Sequence, residues 1–153
     1  PPRSTLFPYT TLFRSTRWRV MIEGIGGITP QMLKQVPDEL IASTCRRAPE
    51  IERELTAIRK KAPAAKRMDY DEFIWSARAT SLNARLALLA KRRIAKKLGK
   101  GNASELKEFA RSLRRLSKEF EVIWRARNKE SELFRITEVF QRIAKEAEII
   151  AGG

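Results

Sequence analysis

Phe120-Glu121-Val122-Ile123-Trp124-Arg125-Ala126-Arg127-Asn128-Lys129-Glu130-Ser131-Glu132-Leu133-Phe134 joins two long amphipathic segments, and the reading of that corner decides the fold. Upstream, Leu106, Phe109, Leu113, Leu116, Phe120 and Ile123 recur at steps of three and four, the spacing of one helix face. Downstream, Leu133, Ile136, Phe140, Ile143, Ala147 and Ile150 repeat the pattern. Asn128 tolerates the left-handed conformation that closes a helix, and Ser131 suits the cap that starts the next. The corner therefore predicts helices over about 103–127 and 131–151 joined by a short turn.

Working back towards the N-terminus, Ile74, Ala77, Ser81, Ala84, Leu88, Ala95 and Leu98 form another three-four seam, broken by Lys91. Trp75, Ala79, Leu82, Leu86 and Leu89 form a second row about 100° round the same helix. Two stripes imply two partners for a helix over about 70–98. Gly99 and Gly101 are placed to stop it, and Asn102-Ala103-Ser104-Glu105 has the form of a capping box for the next helix. Pro30, Pro37 and Pro49 mark first turns of shorter helices, one of them over about 49–62 with Ile51, Leu55 and Ile58 on one face and Pro63 after it. The expected fold class is all-α: an antiparallel three-helix bundle within 49–153, preceded by one or two short helices in an irregular junction over 16–48.

Glu23-Gly24-Ile25-Gly26-Gly27-Ile28 lies in that junction. Its glycines match neither the dinucleotide-binding fingerprint nor the Lys-Ser/Thr ending of a P-loop, so it reads as a flexible connection. Asp38-Glu39 and Asp71-Glu72 are paired carboxylates, the usual equipment for glycoside cleavage. Both fall where helices are expected to start, and negative charge there meets the positive end of the helix dipole.

The 153 residues include 42% apolar residues, enough for one packed domain. Histidine is absent, which removes the usual general base and the commonest metal ligand, so no cofactor or metal is expected. Cys45 is the single cysteine, so no internal disulfide forms and nothing points to an oxidising compartment; a cytoplasmic setting is favoured. No run approaches the roughly 18 apolar residues of a membrane span, and no membrane partner is expected. The net charge of +14 raises nucleic acid as a partner. Thirteen basic residues and two acidic ones lie between Arg78 and Lys118, with Arg92, Arg93, Lys96 and Lys97 the best candidates for phosphate contact. No aromatic residues interleave with them to stack bases.

Residues 1–15 stand apart. Thr5-Leu6-Phe7-Pro8-Tyr9-Thr10-Thr11-Leu12-Phe13-Arg14-Ser15 closely resembles a read-through translation of a sequencing-library adapter, so this stretch is expected to be a scar, with the native N-terminus missing.

Ile123-Trp124-Arg125-Ala126-Arg127-Asn128-Lys129 resembles the Leu-Trp-Leu-Ala-Arg-Asn-Arg signature in the helical tail of bacterial family 20 glycoside hydrolases, the β-N-acetylhexosaminidases. Glu72-Phe73-Ile74-Trp75-Ser76-Ala77-Arg78-Ala79 and Ser131-Glu132-Leu133 are similar to the same tail in order and spacing, so that Trp75, Ile123, Trp124, Ala126, Arg127, Asn128 and Leu133 carry the likeness. Arg125 departs from the aliphatic residue of the pattern, and Glu130 from its frequent Pro or Gly. The resemblance implies a parent hydrolase that removes terminal N-acetylhexosamine by substrate-assisted catalysis. Its Asp-Glu pair belongs to a His-x-Gly-x-Asp-Glu setting that this sequence lacks, so no catalytic residue carries over. The expected role is a non-catalytic C-terminal portion whose partner is the parent's catalytic barrel or a second subunit, with carbohydrate reached only through the parent. The alternative is a basic helical module that binds nucleic acid or acts as a structural adaptor.

Overall fold

The computed structural model describes residues 16–34, 36–127 and 133–153, with side chains described within 22–34, 36–126 and 133–153. Among the described residues every regular element is helical: α1 (Thr16–Gly27), α2 (Pro30–Lys34), α3 (Asp38–Lys61), α4 (Arg67–Ile94), α5 (Ala103–Arg127) and α6 (Leu133–Gly152), with single 3-10 turns at Ala64–Lys66 and Lys100–Asn102. The all-α expectation holds.

α4 is the organising helix. Its 28 residues span about 42 Å at 1.5 Å per residue, long enough to carry separate partners on different faces. The Trp75, Ala79, Leu82, Leu86 and Leu89 row is buried throughout and lies in the main core. That core also holds Leu106, Phe109, Leu113, Leu116 and Phe120 of α5, and Ile136, Phe140, Ile143 and Ala147 of α6. In the other row Ile74 and Ala84 are buried, Ala77, Ser81, Leu88 and Leu98 are half-buried and Ala95 is exposed; α4 packs on α3 as well as on α1 and α5. Two stripes do meet two sets of partners.

α5 and α6 share the most extensive interface. Ala110, Ser117, Ala144 and Ala147 are all fully buried small residues on these two helices, which lets the backbones approach closely. Each large side chain sealed there, Phe109 and Phe140 first among them, contributes roughly 1.5–3 kcal/mol of transfer free energy.

Three boundaries differ from the sequence expectation, each for a local reason. α3 starts at Asp38 and runs straight through Pro49, replacing a junction and a separate 49–62 helix by one 24-residue helix. Proline in a helix interior costs about 3 kcal/mol, and good helix formers on both sides together with packing on α4 offset it. α4 begins at Arg67 and ends at Ile94, not at the glycines. Lys96 takes the left-handed position itself (φ 55°); its N–H donates to the Arg93 carbonyl (2.9 Å) and the Lys97 N–H to the Arg92 carbonyl (2.8 Å). That closes the helix in a Schellman motif one turn early. Before α5, the Asn102 side-chain oxygen accepts from the Gly99 N–H (3.2 Å), while Glu105 reaches across to Arg92 instead of back to the cap.

The glycine segment is no flexible connection. Ile25 and Ile28 are completely buried, and Gly24 breaks α1 sharply with φ 73° and ψ −173°. The break frees a carbonyl on one side and amides on the other. α6 satisfies both from residues one turn apart: Arg142 donates to the Ile22 carbonyl, and the Glu146 carboxylate accepts from the Ile25 N–H (2.9 Å) and the Gly26 N–H. A Cβ at Gly24 would lie 2.5 Å from Glu146 Oε2, so glycine is needed for close approach as well as for its dihedral angle. The segment does hold an anion, and the anion is the protein's own. The proposed 16–48 junction is thereby part of the same core as the helices after it.

Candidate functional site

Two of the tryptophans singled out in the sequence, Trp75 and Trp124, lie at one aromatic corner. Trp75 of α4 stacks at a tilt on Phe120 of α5 (5.0 Å between centroids) and meets Phe140 of α6 edge-on (6.3 Å). Phe120 in turn contacts Trp124 (5.4 Å). Such pairs are worth about 0.5–1.5 kcal/mol beyond the area they bury. The Trp75 indole N–H donates to the Leu116 carbonyl (3.0 Å), so its one polar atom is satisfied inside the core. Ile123 is half-buried against the same cluster, Leu133 is buried at the start of α6, Ala126 is exposed and Arg127 closes α5. Asn128 and the Ser131 cap lie outside the described residues. This corner packs helices together and presents no reacting group.

The four candidate phosphate-contacting residues do not act as one patch. Arg92 is paired with Glu105, and Arg93 donates to the Ile28 carbonyl (2.8 Å), which ties α4 to the end of α1. Lys91 beside them binds Asp38 and the Val36 carbonyl. Lys96 and Lys97 are exposed in the turn after α4. On α5, Lys107, Arg111, Arg115 and Lys118 are also exposed, and their spacing puts them along one side of that helix.

One carboxylate of each acidic pair is tied into an ion pair, Asp38 with Lys91 and Asp71 with Arg59. Asp38 and Glu39 occupy the first turn of α3, as expected for charges at a helix start. Asp71 and Glu72 do not begin α4, which starts at Arg67. Asp71 accepts from both Nε and Nη2 of Arg59, the latter at 2.9 Å, a bidentate pair across the α3–α4 turn. Glu72 is buried at 3% exposure.

A feature that sequence reasoning missed runs along the α4–α5 seam. Arg78, Arg85 and Arg92 recur every seven residues on α4, and Glu119, Ser112 and Glu105 recur every seven on antiparallel α5. Arg78 pairs with Glu119 (2.7 Å) and also with Glu52 of α3 (2.7 Å); Arg92 pairs with Glu105. The middle rung has serine where the repeat calls for a carboxylate. Arg85 is left with a long 3.8 Å contact to the exposed Glu108 and a position over the Phe109 ring (5.7 Å). A cleft of about 100 Å³ opens at this rung, lined among others by Ser81, Arg85, Ser112 and Arg115. Cys45 lies within the field of Arg85; burial raises its thiol pKa, and the Arg85 charge opposes that rise. The signal was present in the sequence, but only as a register between two helices.

Among the described residues no group of His, Cys, Asp or Glu is arranged to hold a metal ion. Among them, no helix is long and apolar enough to cross a membrane. No family model, curated protein or solved structure matches the chain.

Proposed function

We propose that this bundle is a non-catalytic docking module, the C-terminal helical portion of a β-N-acetylhexosaminidase that packs against the parent's catalytic barrel. The observation that carries the reading is the outer face of α3. Leu40, Ile51 and Ile58 are 43, 41 and 48% exposed and fall along a single line of the helix. The exposed Arg47 lies between Leu40 and Ile51 on the same side, so the face offers a partner apolar contacts rimmed by charge. The likeness of the Trp124 corner to the hexosaminidase tail supplies the identity of the body that would cover it.

Two measurements test this. The isolated protein should show no turnover of a chromogenic N-acetylglucosaminide; reproducible turnover removed by a point substitution would end the reading. A family 20 enzyme with its own helical tail deleted should bind this chain in trans, and the double change Ile51→Glu, Ile58→Glu should abolish that binding while leaving helix content intact. Equal binding by both forms would rule out the α3 face.

A second reading, nucleic-acid binding, is favoured by the exposed bases along α5 and in the turn before it. It requires affinity for an oligonucleotide that falls steeply with salt, and a loss of affinity in the Lys96→Glu, Lys97→Glu double variant. Arg92 and Arg93 are poor probes for it, because reversing them breaks internal contacts.

A further inference from the structure

We propose that the cleft at the middle rung of the α4–α5 ladder is a binding site for a small phosphate-type oxyanion, held by Arg85 and Arg115 with the Ser81 and Ser112 hydroxyls. The argument starts from the ladder's period. Residues 78 and 119, and 92 and 105, are opposite one another and form ion pairs, which fixes the register and puts Ser112 opposite Arg85. A serine is shorter than a glutamate by the length of a carboxylate group. The space thus left is the cleft itself.

Charge points the same way. The two carboxylates that line the cleft, Glu52 and Glu119, are both held by Arg78 at 2.7 Å. Among the described residues Arg85 has one ion pair, its 3.8 Å contact with Glu108, and the exposed Arg115 has none. Two guanidiniums and two hydroxyls offer more donors than one planar carboxylate can use, and suit a tetrahedral anion with several acceptor oxygens. The Arg85 side chain is only 28% exposed, so its interactions are screened less than those of a surface lysine. At about 100 Å³ the cleft has room for such a group, since a single water needs only about 10–15 Å³ of comparable space. This site is independent of the α3 docking face and does not rest on the hexosaminidase reading.

The test is titration of the full chain with inorganic phosphate at constant ionic strength, followed by amide shifts in NMR. Saturable one-site shifts centred on Ser81, Arg85 and Ser112 are expected. Arg85→Gln should weaken binding about tenfold or more, the loss of a charge-assisted contact. Ser112→Glu is the decisive variant, because it supplies the missing carboxylate from within: it should fold, resist heat better than the wild type and no longer bind phosphate. Glycerol phosphate in a parallel arm distinguishes a monoester from the free ion, tighter binding of either identifying the source. Shifts that stay linear with phosphate, acetate binding more tightly than phosphate, or undiminished binding by Ser112→Glu would each overturn the assignment.

Discussion

Gly24→Ala should be among the most damaging single-methyl additions in this protein, and its cost can be worked out from two separate terms. At φ 73° and ψ −173° the backbone is in a region that only glycine occupies readily, and forcing alanine there costs about 1–3 kcal/mol. The new Cβ would lie 2.5 Å from Glu146 Oε2, so the carboxylate must swing away and release the Ile25 N–H it holds at 2.9 Å. A hydrogen bond to a charged acceptor is worth about 1.5–3 kcal/mol, and the exposed Gly26 amide is left out because water can replace its partner. The sum is about 4 kcal/mol, or roughly 8–16 °C in Tm for a chain of this size. The assay is thermal and urea unfolding of Gly24→Ala, Glu146→Ala and the double variant. Because Gly24→Ala already expels the carboxylate, adding Glu146→Ala should cost much less than it does alone, with a coupling of about 1 kcal/mol or more. A loss below about 1 kcal/mol for Gly24→Ala, or strictly additive single changes, would refute the clamp.

Other expectations follow from single atoms. The Ser117 hydroxyl is completely buried and has no hydrogen-bond partner among the described residues, so Ser117→Ala should be neutral or stabilise by up to about 1 kcal/mol in urea unfolding. Lys96→Gly should raise stability by about 0.5–1 kcal/mol, because it relieves a left-handed residue at a helix end, and Lys96→Val should lower it. The hydrogen bond from Arg114 holds the Glu148 carboxyl below the ordinary carboxylate pKa. A lowered folded pKa means the contribution is present at neutral pH and is lost as pH falls through and below the carboxylate range. Arg114→Gln should therefore flatten the acid limb of the stability curve slightly, and salt should mask the difference, since both side chains are close to solvent.

The sequence made the repeating parts of the fold legible and hid the parts that depend on a meeting between distant segments. The seams of α5 and α6 were readable because each is a long uninterrupted period, and Leu106 to Phe120 and Leu133 to Ala147 are buried as that period requires. The end of α4 was misplaced because glycine is the usual left-handed residue, and here Lys96 takes that role although Gly99 is close by. α3 was divided at Pro49, whose local penalty is real but is overridden by packing on α4. Gly24 to Gly27 looked flexible because nothing nearby in sequence explains them; their partners, Arg142 and Glu146, come from the last helix. The serine at the middle of the arginine ladder was invisible for a related reason. Ser112 is an ordinary residue until α5 is laid antiparallel on α4.

The clamp at Gly24 also has a consequence for the order of events during synthesis. The Ile25 amide and the Glu146 carboxylate are 121 residues apart, nearly the whole described chain. At about 5–20 residues per second, α1 emerges from the ribosome roughly 6–24 s before the side chain that anchors it. The hairpins of α3 with α4 and of α5 with α6 close from neighbours in sequence, whereas α1, which packs on α4 as well as on α6, gains its last partner only with the final helix. A nascent chain stalled before Glu146 would thus hold the Gly24 break with its Ile25 and Gly26 amides still lacking their carboxylate, and only release of the last turns would supply it.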